Sequence, residues 1–160
     1  MLQLAGRSSR THEGGARAAA YDRAANDVCT TDGRSVALWG VRASGLRELH
    51  HAALRRPRDD VAALVALDAI GCYALASNGS SARLDVMRAP FDEAVAPAVE
   101  CTVFKGGYLT CAVQHRAEHE VVCAGVVKMG EAGEATVVRV IALRRHDRGG
   151  TGAAAAAGEH

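Results

Sequence analysis

The chain has 160 residues, 49% of them apolar and only 4% aromatic, and its 19 Lys and Arg nearly balance 18 Asp and Glu. That size suits one compact domain with tails, packed mainly by Ala, Val and Leu. The balanced charge excludes the global field expected of a nucleic-acid-binding protein or one held at a membrane surface.

Residues 1–20, MLQLAGRSSRTHEGGARAAA, carry Arg7, Arg10 and Arg17 with Ser8, Ser9 and Thr11 against one acid, Glu13. Arg-rich, Ser-rich and acid-poor is the composition of a transit peptide, so a mitochondrial or other organellar destination is expected, with the cytoplasm as the alternative. No charged n-region followed by an apolar h-region marks a secretory signal. Residues 1–25 are expected to be poorly ordered, 26–145 to form the domain, and 146–160 to be a low-complexity tail.

The first strand signal is NDVCTTDGRSVALWGV, two extended runs around the turn dipeptide Asp32-Gly33. A polar, Arg-rich segment, 43–58, ends in Arg55-Arg56-Pro57-Arg58. Residues 59–78, DDVAALVALDAIGCYALASN, read as a helix apolar on every side and therefore buried, with Asp59 as N-cap and Asn78-Gly79 as its stop. Asp68 sits in the middle of that run, where an ionised side chain is costly unless paired, hydrated or used. The span is too interrupted by Asp59, Asp60 and Asp68 to cross a membrane.

Beyond it, ARLDVMRAPF is a strand, and Pro90 and Pro97 flank a short link. AVECTVFKGGYLTCAVQH reads as a hairpin centred on Lys105-Gly106-Gly107, with Val103 facing Leu109, Cys101 facing Cys111 and Val99 facing Val113 on one buried face. A turn near Ala117–Glu120 leads to VVCAGVVKM, continuous enough for a central strand. Gly130–Gly133 then allows a turn into ATVVRVIALRR. No internal repeat is visible. The order implies an α+β architecture, about five or six antiparallel strands around one long buried helix.

From about Val28 to Met129 these residues resemble the hotdog-fold thioesterases, in particular the small acyl-CoA thioesterase branch that includes phenylacetate-pathway enzymes. DGRSVALWGV is similar to the family's first long strand, ALVALDAIGCYAL to its helix with an embedded acid, and ARLDVMRAPFDEAVAPAVECTVFKGGYLTCAV to its strand, proline-marked link and hairpin. The resemblance implies a hotdog domain that pairs edge strands into a dimer or tetramer. It also implies hydrolysis of acyl-CoA thioesters with Asp68 as base or nucleophile, and no cofactor beyond the coenzyme A substrate. Two departures stand out. The family's His-Gly-Gly at the helix start is replaced by Asp59-Asp60-Val61, so Asp60 and Val61 occupy the place that positions the thioester oxygen. The Ser or Thr near the next strand is replaced by Ala82 or Arg83.

Arg55, Arg56 and Arg58 are candidates for coenzyme A phosphates, since guanidinium groups pair phosphate bidentately. Adjacent His50-His51 could polarise a carbonyl in place of the missing motif, although a solvated loop is the simpler reading. His115 and His119 read as flanking a turn rather than as metal ligands. Cys29, Cys72, Cys101, Cys111 and Cys123 are odd in number and lack CxxC spacing. They indicate neither a disulfide framework nor a zinc site, and buried free thiols in a reducing compartment are expected. Gly106-Gly107 is a turn and not a nucleotide loop, and no nucleophile elbow, Walker loop or Rossmann fingerprint is present.

Two functions follow from the sequence. One is an acyl-CoA thioesterase. The other is a catalytically degenerate hotdog subunit with a scaffold role in a larger assembly, in which Asp68 would be a structural acid paired with an Arg.

Overall fold

The computed structural model describes residues 12, 15–67, 72–91, 93–115, 120–128 and 133–142, and among these there is no helix. The expected α+β hotdog with its long buried helix is overturned: the described chain is all β, in three sheets whose pairings are antiparallel apart from one short parallel pair. Residues 59–78, expected as the helix, contain strand β5 (Asp60–Leu67) and strand β6 (Cys72–Asn78), paired so that Leu67 opposes Cys72 and Asp60 opposes Asn78. Asp68 lies outside the described residues.

Sheet one is a meander of β1 (Ala18–Asp22), β2 (Asp27–Thr31), β3 (Ser35–Arg42) and β4 (Gly45–Leu54). Asp32-Gly33 makes the β2–β3 hairpin as expected, and β4 occupies the Arg-rich segment expected as a connection. Sheet two continues from β5 and β6 through β7 (Ser81–Arg88) to β9 (Val99–Lys105). On the way, the proline-marked link lays the two-residue strand β8 (Ala94–Val95) parallel to the end of β4, as the edge strand of sheet one. Sheet three consists of β10 (Gly107–Gln114), β11 (Glu120–Lys128) and β12 (Glu134–Ala142), with β11 central as its apolar run suggests.

The expected β9–β10 hairpin does not form. β9 pairs with β7 and β10 pairs with β11, so Gly106, at φ +66°, is where the chain leaves sheet two for sheet three. A glycine turn between alternating strands carries the same local signal in either case. Val103 and Leu109 still share a core, but Cys111 and Val113 are exposed.

The sheets stack in chain order, and their first strands β1, β5 and β10 are neighbours, β5 between the other two. Sheet two is thus covered on both sides. Leu64, Ala66, Tyr73, Leu75 and Met87 face sheet one, where they pack on Ala20, Cys29, Val36, Leu38 and Leu54. Val65, Leu67, Ala74 and Leu84 face sheet three and pack on Leu109, Ala112, Val121 and Cys123. A strand buried on both faces loses its apolar–polar alternation and reads as a continuous apolar run. That is why residues 60–78 resemble a buried helix.

The sheets are tied together by polar contacts as well. The Asn78 side-chain amide donates to the Leu109 carbonyl (3.1 Å) and accepts from the Leu109 N–H (2.7 Å), joining β6 to β10. Arg139 of β12 donates to the Val103 carbonyl (2.7 Å) and lies over the Phe104 ring at 5.6 Å. No helix long and apolar enough to cross a membrane occurs among the described residues.

Candidate functional site

The residues expected to form the thioesterase site do not converge on a helix terminus, because none is there. Asp60 is exposed at the start of β5, and Val61 is half-buried opposite Ser77. Arg55 is exposed, and its backbone N–H bonds the Val95 carbonyl (3.0 Å). Arg56 is exposed and pairs with Glu100 at 3.2 Å. Arg58 turns inward to Asp85. Its Nε and Nη2 lie 2.7 and 2.6 Å from the carboxylate, which is 3% exposed. Arg83 links the two acids, at 2.5 Å from Glu100 and 3.9 Å from Asp85. The arginine cluster is therefore a charge network fastening the sheet one–sheet two connection to β7 and β9.

His50 is half-buried and His51 exposed on β4, and His115 pairs with Glu120 at 2.9 Å; His119 lies outside the described residues. All five cysteines are free, with Cys29, Cys72 and Cys123 buried. Burial pushes the Cys29 thiol up to about 12, and burial, with Cys101 and Cys111 nearby, does the same to Cys123. Among the described residues no group of three or more His, Cys, Asp or Glu is disposed to hold a metal ion.

The densest polar constellation is on the outer face of sheet one, and sequence reasoning passed over it. The Trp39 indole N–H donates to Thr30 Oγ1 (2.9 Å), which also contacts His12 Nε2 (2.9 Å). His12 Nδ1 contacts Ser35 Oγ (2.8 Å), and the Ser35 hydroxyl donates to Asp32 Oδ1 (3.2 Å). Asp32 also accepts from the N–H groups of Arg34 and Ser35, at 2.8 and 2.7 Å, so it builds the turn and ends the relay together. One neutral tautomer of His12 satisfies every member: Nδ1–H donates to Ser35, and Nε2 accepts the Thr30 hydroxyl proton.

Burial lowers the His12 pKa below its ordinary 6.5; Asp32 opposes this, His51 adds to it, and Glu48 opposes it weakly. Burial also opposes ionisation of Asp32. The N–H groups of Ser35 and Arg34, then His12 and the Ser35 hydroxyl, outweigh it and hold the carboxyl below 3.8.

Ser, His and Asp together invite comparison with a nucleophilic triad. In a triad the carboxylate and the nucleophile occupy opposite ring nitrogens. Here Ser35 and Asp32 both lie at Nδ1, the latter at 3.7 Å. The hydroxyl at Nε2, that of Thr30, is capped by Trp39. His12 and Asp32 are both buried. The arrangement binds β2, β3 and the segment before β1 to one another and leaves no hydroxyl open for attack.

This relay makes folding pH-dependent. Folded His12 holds a proton less tightly than the unfolded chain, so the unfolded state gains protons first as pH falls below 6.5. Stability should be full above that value and decline below it, with Asp32 adding a further loss only below 3.8. Urea unfolding between about pH 8 and pH 5 should show this slope for the native chain and a flatter one for His12→Gln. Equal slopes would exclude His12 as its source.

No protein-family model matches the chain, and no curated protein matches it.

Proposed function

We propose that this chain forms blades of a β-propeller of the WD-repeat kind and acts as a non-enzymatic scaffold for protein assembly. The observation that carries the reading is the Trp39–Thr30–His12–Ser35–Asp32 relay, in which the side chains best suited to chemistry are consumed in holding one blade together. Propeller blades are four-stranded meanders around a common axis, and WD repeats recur at roughly 40–45 residues with a Gly-His…Trp-Asp signature. Sheets one and two are such meanders. Their first strands begin at Ala18 and Asp60, that of sheet three begins at Gly107, and these strands pack side by side. His12 and Trp39 fit the signature, with Thr11 and Gly40 where it has Gly and Asp.

Fold does not imply function, so the scaffold role needs its own test. Purified chain and Asp68→Asn should be assayed against short-, medium- and long-chain acyl-CoAs, with cross-linking of native assemblies in parallel. The scaffold reading expects no Asp68-dependent turnover, together with cross-links from this chain to other proteins in the native assemblies. Turnover lost in Asp68→Asn would overturn it in favour of thioester hydrolysis.

A further inference from the structure

The chain has two asparagines, Asn26 and Asn78, and only Asn78 is followed by glycine. Asn78 ends β6, and Gly79 opens the turn into β7. Gly79 is exposed, takes part in no strand pairing, and has open space where a Cβ would stand. With no side chain at Gly79, its peptide nitrogen is sterically free to approach the Cγ of the residue before it.

In the folded chain that approach is blocked from the other end. The Asn78 amide is held by the backbone of β10 in both directions, donating to the Leu109 carbonyl (3.1 Å) and accepting the Leu109 N–H (2.7 Å). A side chain on a strand stands off the chain axis, and these two bonds point this one at sheet three, away from the following peptide nitrogen. Leu109 is buried in the core that sheets two and three share. The asparagine most prone to attack by its own backbone is thus the one that ties β6 to β10.

We infer that Asn78 is a deamidation site guarded by the seam between sheets two and three, and that its conversion unties that seam. When the two Leu109 bonds open, the Gly79 nitrogen gives its proton to solvent base and bonds to Asn78 Cγ. The Cγ–Nδ2 bond breaks and ammonia leaves, closing a succinimide ring. Water then opens either carbonyl of the ring, leaving aspartate or isoaspartate at position 78. In sum a water is taken up and an ammonia released, with no change of oxidation state.

The product cannot remake the tie. A carboxylate has no proton to donate, so it would meet the Leu109 carbonyl acceptor to acceptor. It also stands opposite Asp60, the cross-strand partner of Asn78, and like charges directly opposite are destabilising. Isoaspartate adds a backbone carbon as well, which throws the end of β6 out of register with β5. The amide that closes the seam becomes a charge that opposes closure, and the change runs one way.

Peptide mapping by mass spectrometry tests this on the full chain, held at mildly alkaline pH with and without guanidinium chloride. The mass gain of deamidation should accumulate in the peptide holding Asn78. In the folded chain it should do so about tenfold to a hundredfold more slowly than in denaturant, the factor that two neutral hydrogen bonds supply. Asn26, followed by Asp27, should lag behind Asn78 in denaturant. Gly79→Ala keeps Asn78 and its bonds but crowds the attacking nitrogen, so it should lose the mass gain in both conditions with Tm at the native value. Asn78→Asp should unfold at lower denaturant than the native chain. So should the deamidated fraction of the native chain, separated by ion exchange, which supplies the same comparison if Asn78→Asp does not fold. Equal rates with and without denaturant would mean that the Leu109 bonds do not guard the site. A deamidated chain with the native midpoint would mean that they do not hold the seam. Either overturns the inference, as does an Asn78 that in denaturant stays intact or reacts no faster than Asn26. None of these outcomes bears on the scaffold role.

Discussion

Gly33→Ala is expected to be the most damaging single methyl group that can be added to this chain. Gly33 sits at φ +87° in the β2–β3 turn, a conformation that costs an L-residue about 1–2 kcal/mol. Its carbonyl also accepts the Arg58 N–H (2.6 Å), so the chain entering β5 runs directly against the turn. A Cβ there would collide with the Arg58 carbonyl oxygen and come within 3.0 Å of Val61 Cγ2. Backbone cannot swing aside as a side chain can, and overpacking of this kind adds about 1–3 kcal/mol.

Together these should lower stability by about 3 kcal/mol or more, enough to unfold a marginal domain. Gly106→Ala isolates the conformational part, since Gly106 has φ +66° and open space around it. Gly79→Ala, with open space and no positive φ, should be close to neutral. Denaturation midpoints in the order Gly33→Ala, Gly106→Ala, Gly79→Ala, from least to most stable, check the argument. Equal midpoints for the first two would show that the backbone contact is not limiting.

The second large effect is expected at Arg58 and Asp85. The Asp85 carboxylate is 3% exposed and the Arg58 side chain 14%, and the guanidinium reaches it through both Nε and Nη2. Removing one partner of a buried ion pair strands the other charge, at a cost of about 3–5 kcal/mol. The partial exposure of Arg58 places Arg58→Met near the lower end. Asp85→Leu leaves Arg58 close to solvent and should cost less. The double variant should recover most of the loss, because a desolvated pair is often no better than well-packed apolar residues. Chemical denaturation of the four species gives the coupling energy directly. Losses under about 1 kcal/mol for both single variants would mean that the pair behaves as a solvated surface bridge.

Each half of these two sites was visible in the sequence for a different reason. Asp32-Gly33 was legible as a hairpin, because turn chemistry is local: Asp32 accepts the following N–H groups and glycine takes positive φ. Arg58 was legible only as a cation. A carboxylate waiting for it 27 residues further along, on β7, leaves no trace in the local pattern. The same holds for the relay. His12 and Trp39 were present as residues, but the segment holding His12 reads as a targeting sequence. Its partners Thr30, Ser35 and Asp32 read as ordinary strand and turn.

By itself the sequence determined an apolar chain of short β segments punctuated by Gly, Pro and Asn turns, with β2–β3 joined at Asp32-Gly33 and β11 recognisable as a central strand. Tertiary structure alone decided that β5 and β6 are strands, because a sheet covered on both faces and a buried helix present the same uninterrupted apolar run. It also decided that Gly106 changes sheet instead of folding β9 onto β10, and that three meanders without visible sequence repetition stack as one series. Turns and periodicity depend on residues a few places apart. The choice of partner strand, and of which faces are covered, depends on surfaces that meet only after the chain has folded.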